Sequence, residues 1–147
     1  MLTCDVAPCQ SVEDAMALVA ELDLSPICRK LRVSDPVSWP EEKIEEAERL
    51  YRRFLALNLL HPGVDLVPSQ LLDEFWHQHI IDTRKYAEDC ERLFGGLLHH
   101  DPYFGINGEE DRANHAVATE RTRRLWLEAF GEPLYGEGER CSSTDCR

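Results

Sequence analysis

Between Glu41 and Leu60 the apolar residues Ile44, Ala47, Leu50, Tyr51, Phe54, Leu55, Leu57 and Leu59 recur mostly at three- and four-residue intervals. That period lays a broad apolar face along an α-helix. A helix with so wide a stripe must bury it against other elements. Nowhere does the chain show the strict alternation expected of a half-buried strand. The fold class read from this pattern is therefore all-α, a single-domain bundle of about five helices around one core.

The remaining helices are bounded by local signals. Ser11 is a predicted N-cap, and Val12, Ala15, Met16, Val19 and Leu22 follow at helical spacing until Ser25-Pro26. A short helix is expected over Ile27 to Leu31. Ser38 and Glu41 have the spacing of a capping box at the start of the long helix, which His61-Pro62-Gly63 ends. Ser69 caps the next helix. Asp82-Thr83 should stop or bend it, and a further segment should run from Arg84 to Phe94, ending at Gly95-Gly96. The last helix is placed from about Glu109 to Phe130, with Gly131 as its stop. With 147 residues the chain fits one domain, its ordered core spanning about 10–131. The Gly-, Ser- and charge-rich stretch 132–147 has little to bury and is expected to be mobile.

Charge excludes some function classes. Sixteen Lys and Arg face 28 carboxylates, a net charge of −12, which argues against a nucleic-acid partner or an anionic membrane surface. Such acidity can raise the local cation concentration. No stretch approaches a membrane span, and the N-terminus lacks a secretory pattern. Cys4, Cys9, Cys28, Cys90, Cys141 and Cys146 are read as reduced thiols in a cytoplasmic protein. The alternative, a four-thiolate zinc site from Cys4, Cys9, Cys141 and Cys146, lacks the two-residue knuckle spacing.

Chemistry concentrates in one window. His77, His79, His99 and His100 are four of the six histidines, and Glu74, Asp82, Asp89 and Cys90 lie among them. Imidazole is the commonest metal ligand. Two residues apart, His77 and His79 lie about 200° apart around an unbroken helix, so one is expected to face a site and the other to point elsewhere, or the helix to be irregular. Folding the chain back at Asp82-Thr83 would bring Tyr86 and Cys90 toward the first segment and the loop carrying His99 and His100 over the same spot. The expected ligands are His77, His79, His99, His100, Cys90 and Asp82, with Glu74, Trp76, Tyr86, Tyr103 and Phe104 in support. That donor set suits zinc, iron or copper rather than magnesium or calcium.

Other motifs are weaker. No His-Glu-x-x-His occurs. Glu74-Phe75-Trp76-His77 has the Glu-x-x-His spacing of a carboxylate-bridged di-iron bundle, but the second copy such bundles need is missing, Asp111-x-x-x-His115 being a poor substitute. His61 and His115 are read as structural or solvated, and the run Arg121-Thr122-Arg123-Arg124 as a solvated helix face that could instead neutralise nearby acids or dock an acidic partner.

Taken together, Leu72-Asp73-Glu74-Phe75-Trp76-His77-Gln78-His79-Ile80-Ile81-Asp82-Thr83, then Tyr86, Asp89-Cys90 and His99-His100-Asp101-Pro102-Tyr103-Phe104-Gly105, resemble the glycine-rich domain-containing-protein-like family. The resemblance covers about Val64 to Gly105. It implies a common helical domain and directs attention to these residues, but it carries no reaction with it. The chain departs from the plant members in having only eight Gly and no glycine-rich tail.

The resulting expectation is a transition-metal-binding His cluster on a helical scaffold, able in principle to support catalysis. The alternative is a metal-free protein-interaction module in which the same histidines and Trp76 are structural. A further alternative is metal-free acid–base chemistry by His77 or His79 with Asp82.

Overall fold

The computed structural model describes residues 11–135. Among the described residues there are six helices: α1 Val12–Ala20, α2 Ser25–Ser34, α3 Glu41–Leu60, α4 Gln70–Ile81, α5 Thr83–Phe94 and α6 Glu109–Phe130. No strand occurs among the described residues. The all-α expectation holds, with one helix more than the approximate count.

α3 is the axis of the bundle. It packs against α1, α2, α4 and α6, and α4 in turn packs on α5. Phe54, Leu55, Ala56 and Leu57 are all buried. Four consecutive buried residues cover every side of a helix, so this turn of α3 is surrounded. Around it lie Val19 of α1, Ile27 and Leu31 of α2, Phe75 and Trp76 of α4, and Trp126 of α6. Arg52 ties α1 down at its end, donating from Nη1 to the Val19 carbonyl at 2.8 Å and from Nη2 to the Leu22 carbonyl at 3.1 Å. It thereby adds a second donor to the Val19 carbonyl, which also accepts the Leu22 N–H at 3.1 Å, and supplies one to Leu22 just beyond the helix end.

Local signals placed most boundaries. Ser11 accepts from the Asp14 N–H, and Ser69 from that of Leu72. Gly95 and Gly131 close α5 and α6 in the left-handed region, at φ 72° and 70°, where a side chain would be strained. The capping box at Ser38 does not form. Pro40 occupies the N-cap of α3 without a side-chain bond, and Glu41 turns outward to chelate the Arg32 guanidinium at 2.7 and 2.8 Å. The Ser38 N–H donates instead to Asp35 Oδ1.

Two expectations need correction. The packed chain does not stop at Gly131. Glu132 is paired with Arg49 and Arg53, Leu134 is buried, and the Tyr135 hydroxyl donates to the Val67 carbonyl at 2.6 Å. Residues 136–147 lie outside the described residues, as do Cys4, Cys9, Cys141 and Cys146 and any zinc site built from them. Of the two readings of His115 the structural one applies: it is 4 % exposed, its ring edge-on to Phe104 at 5.1 Å. Within the basic run Thr122 faces inward, accepting the Val67 N–H at 2.9 Å and donating to the Ala118 carbonyl.

Candidate functional site

The site is built by α4, α5 and the strap that follows them. At Asp82 the backbone leaves the helical region (φ −83°, ψ 75°), and α5 starts at the next residue. The break folds α5 back beside α4. Gly95 then reverses the chain, and the strap from Gly96 to Gly108 crosses back over α4. Tyr86 pins the strap through its hydroxyl, which donates to the Leu98 carbonyl and accepts from Trp76 Nε1 at 3.0 Å. At its far end Asp111, in the first turn of α6, accepts the N–H groups of Gly105 (2.7 Å) and Asn107 (3.1 Å).

Held this way, His100 lies against the face of α4. Its ring stacks on Trp76, with centroids 4.2 Å apart and planes 23° apart. His100 Nε2 is 2.6 Å from Asp73 Oδ1 and 3.0 Å from His77 Nε2, and His77 Nε2 is 3.3 Å from Asp73 Oδ2. Asp73 and His77 are one helical turn apart, so their side chains share a face. The three residues form a group whose ligand atoms all lie within 4.8 Å of one another and could hold a metal ion. The Asp73 side chain is 11 % exposed and that of His77 53 %, which places the group at the boundary between core and solvent.

Two clefts open onto it. The first, about 520 Å³, is lined by Asn58, Val64, Asp65 and Asp101 beside the three group residues. The second, about 500 Å³, runs between α4, α5 and the strap, with Ile80, Thr83, Ala87, Leu97 and Pro102 in its wall. His77, His99 and His100 line both.

The other residues singled out by sequence stand elsewhere. His79 is 1 % exposed and faces away from His77. The Tyr51 hydroxyl lies 2.6 Å from its Nδ1, and Asp89 Oδ2 is 2.8 Å from its Nε2. Asp89 also accepts from Lys85 Nζ at 3.1 Å. Burial pushes the His79 pKa below its usual value, opposed by Asp89. The neutral ring accepts from Tyr51 and donates to Asp89, a pairing that ties α3 to α4 and α5. Cys90 is a buried free thiol whose pKa burial raises. Asp82 is exposed at the break between α4 and α5. His99 sits on the rim of both clefts, outside the group. Glu74 pairs with Lys43 at 3.7 Å, which leaves the Glu-x-x-His spacing without convergence on His77. Tyr103 is 60 % exposed, whereas Phe104 packs on His115.

Asp73 was absent from the expected ligands. Its signal is the four-residue spacing to His77, which sits beside the more conspicuous Glu74 spacing.

The UCP032817-like family model matches residues 18–130. Glycine-rich domain-containing protein 1 of Arabidopsis thaliana is 27 % identical over 99 residues, which cover 65 % of this chain and 12 % of that protein. The matched region is thus a small part of that relative's length. No solved structure matches. Among the described residues no helix is long and apolar enough to cross a membrane.

Proposed function

This chain belongs to the UCP032817-like family, and from the geometry of its Asp/His/His group we propose that it binds one transition-metal ion through Asp73, His77 and His100, leaving coordination positions open toward the two clefts. The observation that carries the reading is the mutual closeness of three acceptor atoms. Each imidazole Nε2 holds at most one proton. If both are protonated, each can donate to Asp73, but the two nitrogens then meet at 3.0 Å as donor against donor. If only one is protonated, a single proton must serve contacts that involve all three side chains. A cation between them accepts a lone pair from each.

Ligands about 2.0–2.1 Å from a shared ion stand roughly 2.9–3.4 Å apart at octahedral or tetrahedral angles. The His77–His100 separation of 3.0 Å and the His77–Asp73 Oδ2 separation of 3.3 Å fall in that range; the 2.6 Å between His100 and Asp73 Oδ1 is shorter and is a hydrogen-bond contact that would lengthen around an ion. Two imidazoles and one carboxylate suit zinc or iron(II), and three protein ligands with open positions are the arrangement of metal sites that also bind a substrate or water. Trp76 and Tyr86 belong to the site as supports, because one stacks on His100 and the other holds its strap. A cytoplasmic setting without a nucleic-acid partner belongs to the same proposal. It is supported by the net charge of −12 and by the free thiols of Cys28 and Cys90.

The test is elemental analysis of untagged protein, followed by titration of the metal-free form with zinc, iron(II) and cobalt(II). About one ion per chain is expected, with stability raised by about 2.7 kcal/mol when free metal is 100 times its dissociation constant. Asp73→Asn and His100→Ala should each weaken uptake by about 100-fold or more, since each removes one of three ligands. No uptake of any of the three metals, or uptake unchanged in both variants, would overturn the proposal.

A further inference from the structure

The two clefts that meet at the Asp/His/His group differ in chemistry, and that difference bears on what an open coordination position would receive. The first cleft carries Asp65, Asp73 and Asp101 in its wall. The second contains no Asp, Glu, Lys or Arg among its lining residues. Its lining includes Ile80, Thr83, Tyr86 and Ala87, together with Leu97, Leu98 and Pro102, which it shares with the first cleft. At about 500 Å³ it is within the size range of sites that enclose a small organic molecule. His77 and His100 are among its lining residues, so a molecule lying in the cleft can reach the metal position with one end.

We infer that this second cleft is the binding site for a small amphipathic carboxylate, whose head completes the metal's coordination and whose uncharged hydrocarbon body lies along Ile80, Ala87 and Leu97. The inference rests on the metal reading above and specifies the ligand class of that site. Charge sets the head group. A divalent ion with the Asp73 carboxylate and two neutral imidazoles keeps one net positive charge, which an anionic oxygen donor neutralises. The wall sets the body. With no fixed charge to pair, a second charged group on the ligand would be desolvated without compensation, whereas methylenes gain by leaving water. The first cleft, bordered by Asp65 and Asp101 in addition to the ligand Asp73, would repel an anion.

Cobalt(II)-loaded protein provides the test, because its visible absorption reports a new oxygen ligand. Decanoate and acetate are titrated as probes, first into wild type and then into Ala87→Trp, which fills the cleft from an exposed position on α5. Leu97→Glu serves as a second variant, placing a negative charge in the wall. Cobalt stoichiometry is measured for each protein before any probe is added. Expected is a spectral change with both acids and an affinity for decanoate at least about tenfold above that for acetate, from burial of the chain. Both variants should erase that preference while retaining cobalt and acetate binding. Equal affinity for the two acids in wild type, or a decanoate preference untouched by both variants, would overturn the cleft assignment and leave the metal site standing. Failure of wild type to take up cobalt, zinc or iron(II) alike would remove the metal reading and this inference with it.

Discussion

His77 and His79 stand two residues apart on α4, yet the His79 side chain is 1 % exposed and that of His77 is 53 % exposed. Both touch an aspartate, and both come near a second ring with a polar atom. They differ in whether protons suffice. Around His79 each nitrogen has one partner of the right kind: the Tyr51 hydroxyl donates to Nδ1, and Nε2–H donates to Asp89, itself held by Lys85. Around His77 and His100 the contacts outnumber the protons that could fill them. A satisfied buried imidazole needs no further partner, whereas a set of lone pairs converging at a solvent boundary invites a cation. Histidine content alone does not separate these cases; the partners do.

The sharpest way to break this comparison is to remove the buried ring. His79→Ala leaves the Tyr51 hydroxyl without its ring partner and Asp89 with Lys85 alone, and it opens a void beside Tyr51 and Tyr86. Each loss is destabilising, and together they should cost about 3–5 kcal/mol. Urea unfolding with and without a chelator measures it, and the loss should be the same in both. A loss that vanishes when metal is stripped would move His79 into the metal group and collapse the distinction between the two sites.

A smaller effect probes how the strap is held. Tyr86→Phe keeps the ring against His79 but removes the hydroxyl that links Trp76 Nε1 to the Leu98 carbonyl. The expected cost is about 1–2 kcal/mol from two buried polar groups left to find other partners. Because Leu98 precedes His100 by two residues, metal affinity should also fall by about tenfold, the usual consequence of loosening a ligand's support. Stability lost with metal affinity intact would show that Tyr86 serves the core alone.

Much of the scaffold was legible because it is written locally. The serine caps at Ser11 and Ser69, the break at Asp82 and the glycine stops at 95 and 131 each depend on a few adjacent residues. The site was legible only in outline. The sequence brought His77 and His100 under suspicion through their density, and the fold-back at Asp82 explains how they meet. Choosing between Asp73 and Glu74 required knowledge of α3, since Lys43 draws Glu74 outward while Asp73 remains beneath the strap. His79 was misplaced among the expected ligands for a related reason. Its decisive partner, Tyr51, lies 28 residues upstream on another helix, and no spacing rule connects them. Leu134 was hidden by the polar composition around it, although one large apolar side chain is enough to carry a chain end into the core.

The smallest expected effect separates two neighbours on the strap. His99 and His100 are adjacent, but the backbone sends them to different places: His100 onto Trp76 and Asp73, His99 to the rim. An exposed side chain outside the ligand group should be replaceable at little cost, so His99→Ala is expected to change stability by no more than about 0.5 kcal/mol. Metal affinity measured by competition with a chelator should stay within about threefold of wild type, less than 1 kcal/mol of binding free energy. His100→Ala under the same conditions provides the contrast. If His99→Ala lowers affinity as severely, the strap must turn so that both rings reach the ion, and the ligand set would then include the His99 that sequence reasoning expected.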